Sequence, residues 1–221
     1  MPTPTPSPRA QGSAIWFVLL AVALLAALTM TMTRSSDTVE QSGDAERARI
    51  SASDLMRYTG GIKAAIDRMM LTGISESDLC FHAAGWGNGD YNAASCTDSA
   101  NQVFGSGGGA VTFRTYDFAS EWMIFGSHAV LNLETAAPEL MMQARVSALL
   151  CREINNVLNI DNPGSDAPAD IIQNATPFTG SYTLAAPDNT IGNNAAQLAG
   201  KEAGCRKDGA HYYFYQVLIK R

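Results

Sequence analysis

The segment Ala14–Thr33, AIWFVLLAVALLAALTMTMT, runs for twenty residues without a charged side chain. A helix of that length rises about 30 Å, the thickness of a bilayer's hydrocarbon core, so the segment predicts a transmembrane helix. Nine of its residues, Ile15, Phe17, Val18, Leu19, Leu20, Val22, Leu24, Leu25 and Leu28, each favour insertion by about 0.3–0.6 kcal/mol, roughly 3–5 kcal/mol together. A cleaved secretory signal has a shorter apolar region, about 7–15 residues, closed by a small-residue A-x-A site. This run closes in Thr-Met-Thr-Met-Thr, so the expectation is an uncleaved anchor.

Ahead of the span, MPTPTPSP places Pro at positions 2, 4, 6 and 8, which forbids a helix or a strand ladder and marks residues 1–13 as a Pro-rich leader or cytoplasmic tail. Charge changes at the same boundary. The chain holds 15 Lys plus Arg against 21 Asp plus Glu, a net −6, yet residues 1–33 carry only Arg9. A net negative chain argues against a nucleic-acid partner. Hydrophobic residues at 46% and charged residues at 16% exclude a disordered polyelectrolyte and leave apolar material for a core. Arg9 precedes the span and Arg34, Arg47 and Arg49 follow it, so counting basic residues does not orient it.

Cysteine usage speaks to the compartment. Cys80, Cys96, Cys151 and Cys205 all lie beyond the span, and an even count in an anchored chain suggests disulfides and an oxidising environment. Of the three possible pairings we favour Cys80–Cys96, which is local, and Cys151–Cys205, which joins a predicted helix to the C-terminal hairpin. On the chain-entropy model these contribute about 3 and 4 kcal/mol. A zinc site is the competing reading, but no Cys-x-x-Cys pair exists and His82, His128 and His211 are scattered. No metal and no cofactor is expected.

From 34 to 72 the chain is polar and free of Pro. Ala45, Ala48, Ala52, Leu55, Thr59, Ile62, Ile66 and Met69 are spaced alternately by three and four, which predicts an amphipathic helix with one buried face. Gly60 and Gly61 each cost about 1 kcal/mol inside a helix and mark a place to bend. Residues 14–71 form either one rod of roughly 90 Å or two helices hinged at 35–43.

Residues 73–221 predict an exported α+β head. GWGNGDYN at 85–92 and GSGGG at 105–109 signal turns. Ala110–Tyr116, AVTFRTY, alternates as a half-buried strand does, and residues 122–126 and 129–133 extend the β signal into a meander. After Pro138, the positions Leu140, Ala144, Ala148, Cys151, Asn155 and Leu158 follow helical spacing. Asp208-Gly209 supplies turn chemistry before Tyr212–Ile219, which is apolar on both faces and reads as a central strand of an antiparallel sheet.

Catalytic signatures are missing: no G-x-S-x-G, H-E-x-x-H or phosphate-loop pattern occurs, and His82 reads as a loop residue under a disulfide. The acidic loop Asp161–Asp166 offers oxygen ligands for Ca²⁺, but Pro163 and the lack of a closing bidentate Glu fit that geometry poorly. The aromatic run Tyr212–Tyr215 reads as sheet core, and Asn174-Ala175-Thr176 matches the glycosylation pattern that arises often by chance.

A short leader ending in Gly, an apolar helix passing without Pro into an amphipathic half, and a Gly-rich disulfide-bearing α+β head together resemble the type IV pilin and type II secretion pseudopilin superfamily. The residues that carry the likeness are Arg9-Ala10-Gln11-Gly12 followed by Ser13-Ala14-Ile15-Trp16-Phe17-Val18-Leu19-Leu20. The resemblance implies cleavage by a prepilin peptidase between Gly12 and Ser13, a Ser13 amino terminus, and packing against copies of itself or homologous subunits through the N-terminal helix. The fifth mature residue in that family is usually Glu; here it is Phe17, as in some minor pilins. The implied function is a non-catalytic filament or secretion-apparatus subunit in the bacterial inner membrane, single-pass, with its head periplasmic or extracellular. The alternative is a stationary membrane-anchored binding or enzymatic domain.

Overall fold

Helix α1 spans Ser13–Leu71, 59 residues, in a computed structural model that describes residues 13–83, 94–172, 176–184 and 189–221, with the side chains of 13–15, 28, 31–42 and 94–95 outside the description. The chain divides into two compact units, Met1–Asp44 and Ala45–Arg221, and α1 contributes to both.

In the first unit the structure corrects the transmembrane half of the expected architecture, Ala14–Thr33. Among the described residues no helix is long and apolar enough to cross a membrane. Length is the physical reason: the uninterrupted apolar run Ala14–Leu28 holds fifteen residues, about 22 Å of helix against roughly 30 Å of hydrocarbon. Hydroxyls follow, and Thr29 Oγ1 donates back to the carbonyls of Leu25 and Ala26 at 3.1 and 2.9 Å.

The second unit is α+β. Its part of α1 buries Ala48, Ala52, Leu55, Thr59, Ile62, Ile66 and Met69, and Thr59 satisfies its buried hydroxyl on the Leu55 carbonyl at 3.1 Å. Helix α1 runs unbroken through Gly60 and Gly61, which both sit on its exposed side. The helix stops where Gly73 takes a positive φ of 100° and the Ile74 amide closes on the Met69 carbonyl at 3.2 Å.

Five strands follow: β1 (Ala119–Val130), β2 (Glu139–Val146), β3 (Thr190–Ile191), β4 (Ala203–Asp208) and β5 (His211–Ile219), in the order β3-β1-β2-β5-β4. All pairs are antiparallel except β3 with β1, so the sheet is mixed where an antiparallel one was expected. Helix α2 (Ala148–Val157) begins at Ser147, whose Oγ accepts the Leu150 amide at 3.2 Å.

The sheet is covered on both faces. Leu140, Met142, Ala144 and Val146 face the core that holds Leu55, Ile62 and Ile66 of α1 and Leu150 and Ile154 of α2. On the opposite face Phe125, Met141, Tyr215 and Val217 pack under Ile160, Ile172, Ile191 and Leu198.

Double coverage explains two corrections. The expected helix beginning at Pro138 is strand β2 and then α2: a strand buried on both faces loses its period of two, and Leu140 and Ala144 matched a helical spacing by coincidence. The expected strand Ala110–Tyr116 has no ladder partner among the described residues beyond one bridge, Tyr116 to Ala119. Its aromatic side chains anchor it instead, Phe113 on Phe104 at 5.5 Å and Tyr116 on Tyr58 at 5.7 Å. The two β signals at 122–126 and 129–133 belong largely to the single strand β1. The Asp208-Gly209 turn joins β4 to β5, and β5 is interior as expected.

Both disulfides are present: Cys80–Cys96 and Cys151–Cys205, with Cα separations of 5.1 and 5.3 Å.

Candidate assembly surface and buried polar sites

The most unusual surface lies on the first unit. Trp16, Phe17, Val18, Leu19, Leu20, Val22, Leu24, Leu25 and Met30 are between 52% and 73% exposed. They point around the whole circumference of the helix rather than along one stripe, so burying them needs cover on every side. Ser13 is the first residue of α1, and Gly12 lies outside the described residues.

The stripe that begins with small residues does not lie on the surface. From Ala48 to Met69 it is buried within the chain's own core, and Ala45 alone is half-buried.

Two clefts open along the exposed side of α1 in the second unit. One, of about 440 Å³, is lined by Asp54, Arg57, Tyr58, Val111, Arg114 and Tyr116; the other, of about 540 Å³, by Glu46, Arg49, Ile50, Asp54, Arg57 and Phe118. Arg57 closes an ion pair on Asp54 at 2.6 Å. Tyr58 Oη accepts the Arg114 amide at 3.0 Å, and burial holds the Tyr58 phenol above its ordinary value.

The sites considered from sequence are spread apart. His82 is exposed, with its amide 3.4 Å from Cys80 Sγ; His211 is exposed at the start of β5; His128 is fully buried in β1. Among the described residues no group of His, Cys, Asp or Glu is arranged to hold a metal. In the Asp161–Asp166 loop Asp161 is exposed, while Asn162 and Asp166 are engaged within the protein. Asp166 Oδ2 accepts from Lys207 Nζ at 2.6 Å and from Tyr212 Oη at 3.3 Å, and the Lys207 hydrogen bond holds that carboxyl below the usual range. Asn162 is tied to Asn155, Asn156 and the Arg152 carbonyl. Residues 105–109 form turns, where a Cβ on Gly108 would collide with the carbonyls of Gln102 and Ala100. Residues 85–92, Asn174 and Ala175 lie outside the described residues.

Sequence reasoning missed three buried polar sites. Arg206, 2% exposed, donates to the Asp170 carbonyl at 2.9 Å, to Asp208 Oδ2 at 3.0 Å and to Gln143 Oε1 at 3.1 Å, while its guanidinium lies 5.0 Å from the Tyr213 ring centroid. The Asp170 carboxylate is held by the Gly192 amide at 2.6 Å, and burial pushes that carboxyl up. Asn155 Nδ2 donates to the Cys205 carbonyl at 2.9 Å and Asn155 Oδ1 accepts the Cys205 amide at 2.8 Å, so one side chain stands in for a neighbouring strand. The third is Glu139. Its Oε2 accepts the Val130 amide at 2.8 Å, its Oε1 is buried without a hydrogen-bond partner, and burial pushes it up to about 7. No periodicity marks such groups, because each is polar at a position the pattern reads as core.

No family model matches this chain, nor does any curated protein or solved structure.

Proposed function

We propose that the chain is a non-catalytic structural subunit of a pilin-like or pseudopilin-like assembly, joined to copies of itself or to homologous subunits through the first part of α1. The observation that carries this reading is the exposed apolar run from Trp16 to Met30. Covering its nine large side chains is worth on the order of 10 kcal/mol gross, and contact on all sides is what a bundle of neighbouring helices provides. In this reading a prepilin peptidase cuts between Gly12 and Ser13, and the second unit is displayed in an oxidising compartment outside the cytoplasm, where its two disulfides persist.

The test is made in the native host. Intact mass of the purified protein is expected to lack residues 1–12. Gly12→Leu is expected to leave the chain uncut and unassembled, and Leu20→Asp to leave it cut but unassembled, with both disulfides intact. A Gly12→Leu chain that still enters a normal filament refutes the proposal.

A further inference from the structure

The corner where β1 meets β2 is built around a carboxyl group. The register of these strands breaks between Phe125 and His128, and the last aligned pair is His128 with Glu139. Beyond that pair β2 offers no backbone acceptor to β1, and the Val130 amide turns to Glu139 Oε2 at 2.8 Å. The flanking amides of β1 go the other way, Ala129 to the Asn189 carbonyl at 3.0 Å and Leu131 to the Ile191 carbonyl at 2.8 Å, which is how the two-residue strand β3 is held.

Glu139 is fully buried, and its second oxygen, Oε1, has no donor. The titratable groups around it offer little to hold a negative charge. His128 stands opposite on β1, its Nδ1 joined to Ser127 Oγ at 2.9 Å. Glu134 approaches from the connecting loop and repels a charge on Glu139, and Tyr215 lies on β5. The Lys220 ammonium is turned toward Glu134 at 3.9 Å and Glu202 at 2.9 Å. A carboxylate held by backbone amides alone, those of Val130 and of Glu139 itself, is costly in such a site, whereas a neutral carboxyl keeps the Val130 bond through one oxygen and carries its proton on the other. A cleft of about 430 Å³, lined by Val130, Leu131, Glu134, Thr190 and Asn193, brings solvent to this corner.

We propose that Glu139 is a proton-operated latch: neutral, it holds the 131–138 connection and β3 closed on the end of β1; ionised, it releases them to water. Opening breaks the terminal His128–Glu139 pair, the two-residue β3 contact, the Gly200 amide bond to the Leu131 carbonyl and the Thr135 bond to the Arg221 carbonyl, while the remainder of the sheet stays paired. Burial pushes the closed-state carboxyl from 4.5 up to about 7. If the open state has an ordinary carboxyl, the open population grows about tenfold per pH unit between those values and is constant above, a change of at most about 300-fold.

The test is hydrogen exchange of the Val130 and Leu131 amides in the full chain, corrected for intrinsic exchange, from pH 5 to pH 8. Wild type is expected to lose protection steeply up to about pH 7, and Glu139→Gln to show a flat profile. Carboxyl carbon NMR of Glu139 gives a second readout, with a midpoint near 7 expected. A midpoint near the ordinary value, protection independent of pH in the wild type, or a pH dependence that survives in Glu139→Gln and vanishes in His128→Asn overturns the proposal.

Discussion

Replacing Asn155 by Ala removes the side chain that closes the outer edge of the sheet. Strand β4 is terminal in the strand order, and a terminal strand exposes unpaired amides and carbonyls. In this protein that edge is occupied. At Cys205 both backbone groups pair with the Asn155 amide, at 2.9 and 2.8 Å, and two residues on the Lys207 amide and carbonyl pair with Pro168 and Asp170 at 2.8 and 2.9 Å. Asn155 also donates to Asn162 Oδ1 at 2.9 Å.

The Ala variant loses three hydrogen bonds, each worth about 1 kcal/mol net, and leaves the buried Cys205 amide and carbonyl without partners, at about 1–3 kcal/mol for each group that water fails to reach. The expected loss is about 4 kcal/mol, or roughly 8–16 °C in Tm for a domain of this size. Disulfide Cys151–Cys205 remains in the variant, so chain connectivity is unchanged and the urea m-value should be too. Equilibrium urea unfolding of the oxidised protein measures the loss, with Asn156→Ala, an exposed neighbour, expected to stay within about 0.5 kcal/mol. A loss under about 1 kcal/mol for Asn155→Ala would show that the edge does not depend on this side chain.

Further outcomes follow from the same structure. Opening Cys151–Cys205 by the paired change to Ser is expected to cost about 4 kcal/mol, and opening Cys80–Cys96 about 3 kcal/mol, in proportion to the logarithm of their separations of 54 and 16 residues; equal losses in urea unfolding would contradict the chain-entropy account. Gly108→Ala forces a Cβ against two carbonyl oxygens and is expected to lower Tm, whereas Gly61→Ala meets open space inside α1 and is expected to raise stability by up to about 1 kcal/mol; calorimetry that finds the same sign for both would refute the packing argument. Arg206→Met strands Gln143 Oε1 and the Asp170 carbonyl and is expected to cost about 3 kcal/mol, and a stabilised variant in thermal unfolding would show that the buried charge is itself the greater burden.

The sequence reading succeeded where a local rule decides structure. The stripe from Ala48 to Met69 follows the helical period and is buried as that period requires. Gly209 between Asp208 and Ala210 makes the turn that brings β5 back along β4. The local disulfide Cys80–Cys96 closes a short loop, and Cys151–Cys205 joins α2 to the C-terminal hairpin. It failed where the tertiary surroundings override the local rule. AVTFRTY has the alternation of a strand, but a ladder needs a neighbour and the fold supplies ring contacts instead. ELMMQARV lacks alternation because both faces of β2 are covered. The uncharged run Ala14–Thr33 predicts a span from its length, yet its unbroken apolar part, Ala14–Leu28, is fifteen residues, and among the described residues no helix is long and apolar enough to cross a membrane.

The polar sites divide along the same line. An even cysteine count without metal-ligand spacing alone indicated a disulfide-bearing domain, while bringing each pair of Cα atoms within bridging distance was left to the fold. Glu139, Asp170 and Arg206 were invisible in the sequence, and Asn155 was legible only as a position on a helical stripe, since a polar residue at a core position becomes meaningful only through the groups it meets. Those partners stand at sequence separations of 9 for Glu139 with Val130, 36 for Arg206 with Asp170 and 50 for Asn155 with Cys205. Periodicity reports which face of an element is buried; only the closing of the sheet against its two covering layers determines which buried groups touch, because that contact is set by register and packing between segments remote in the chain.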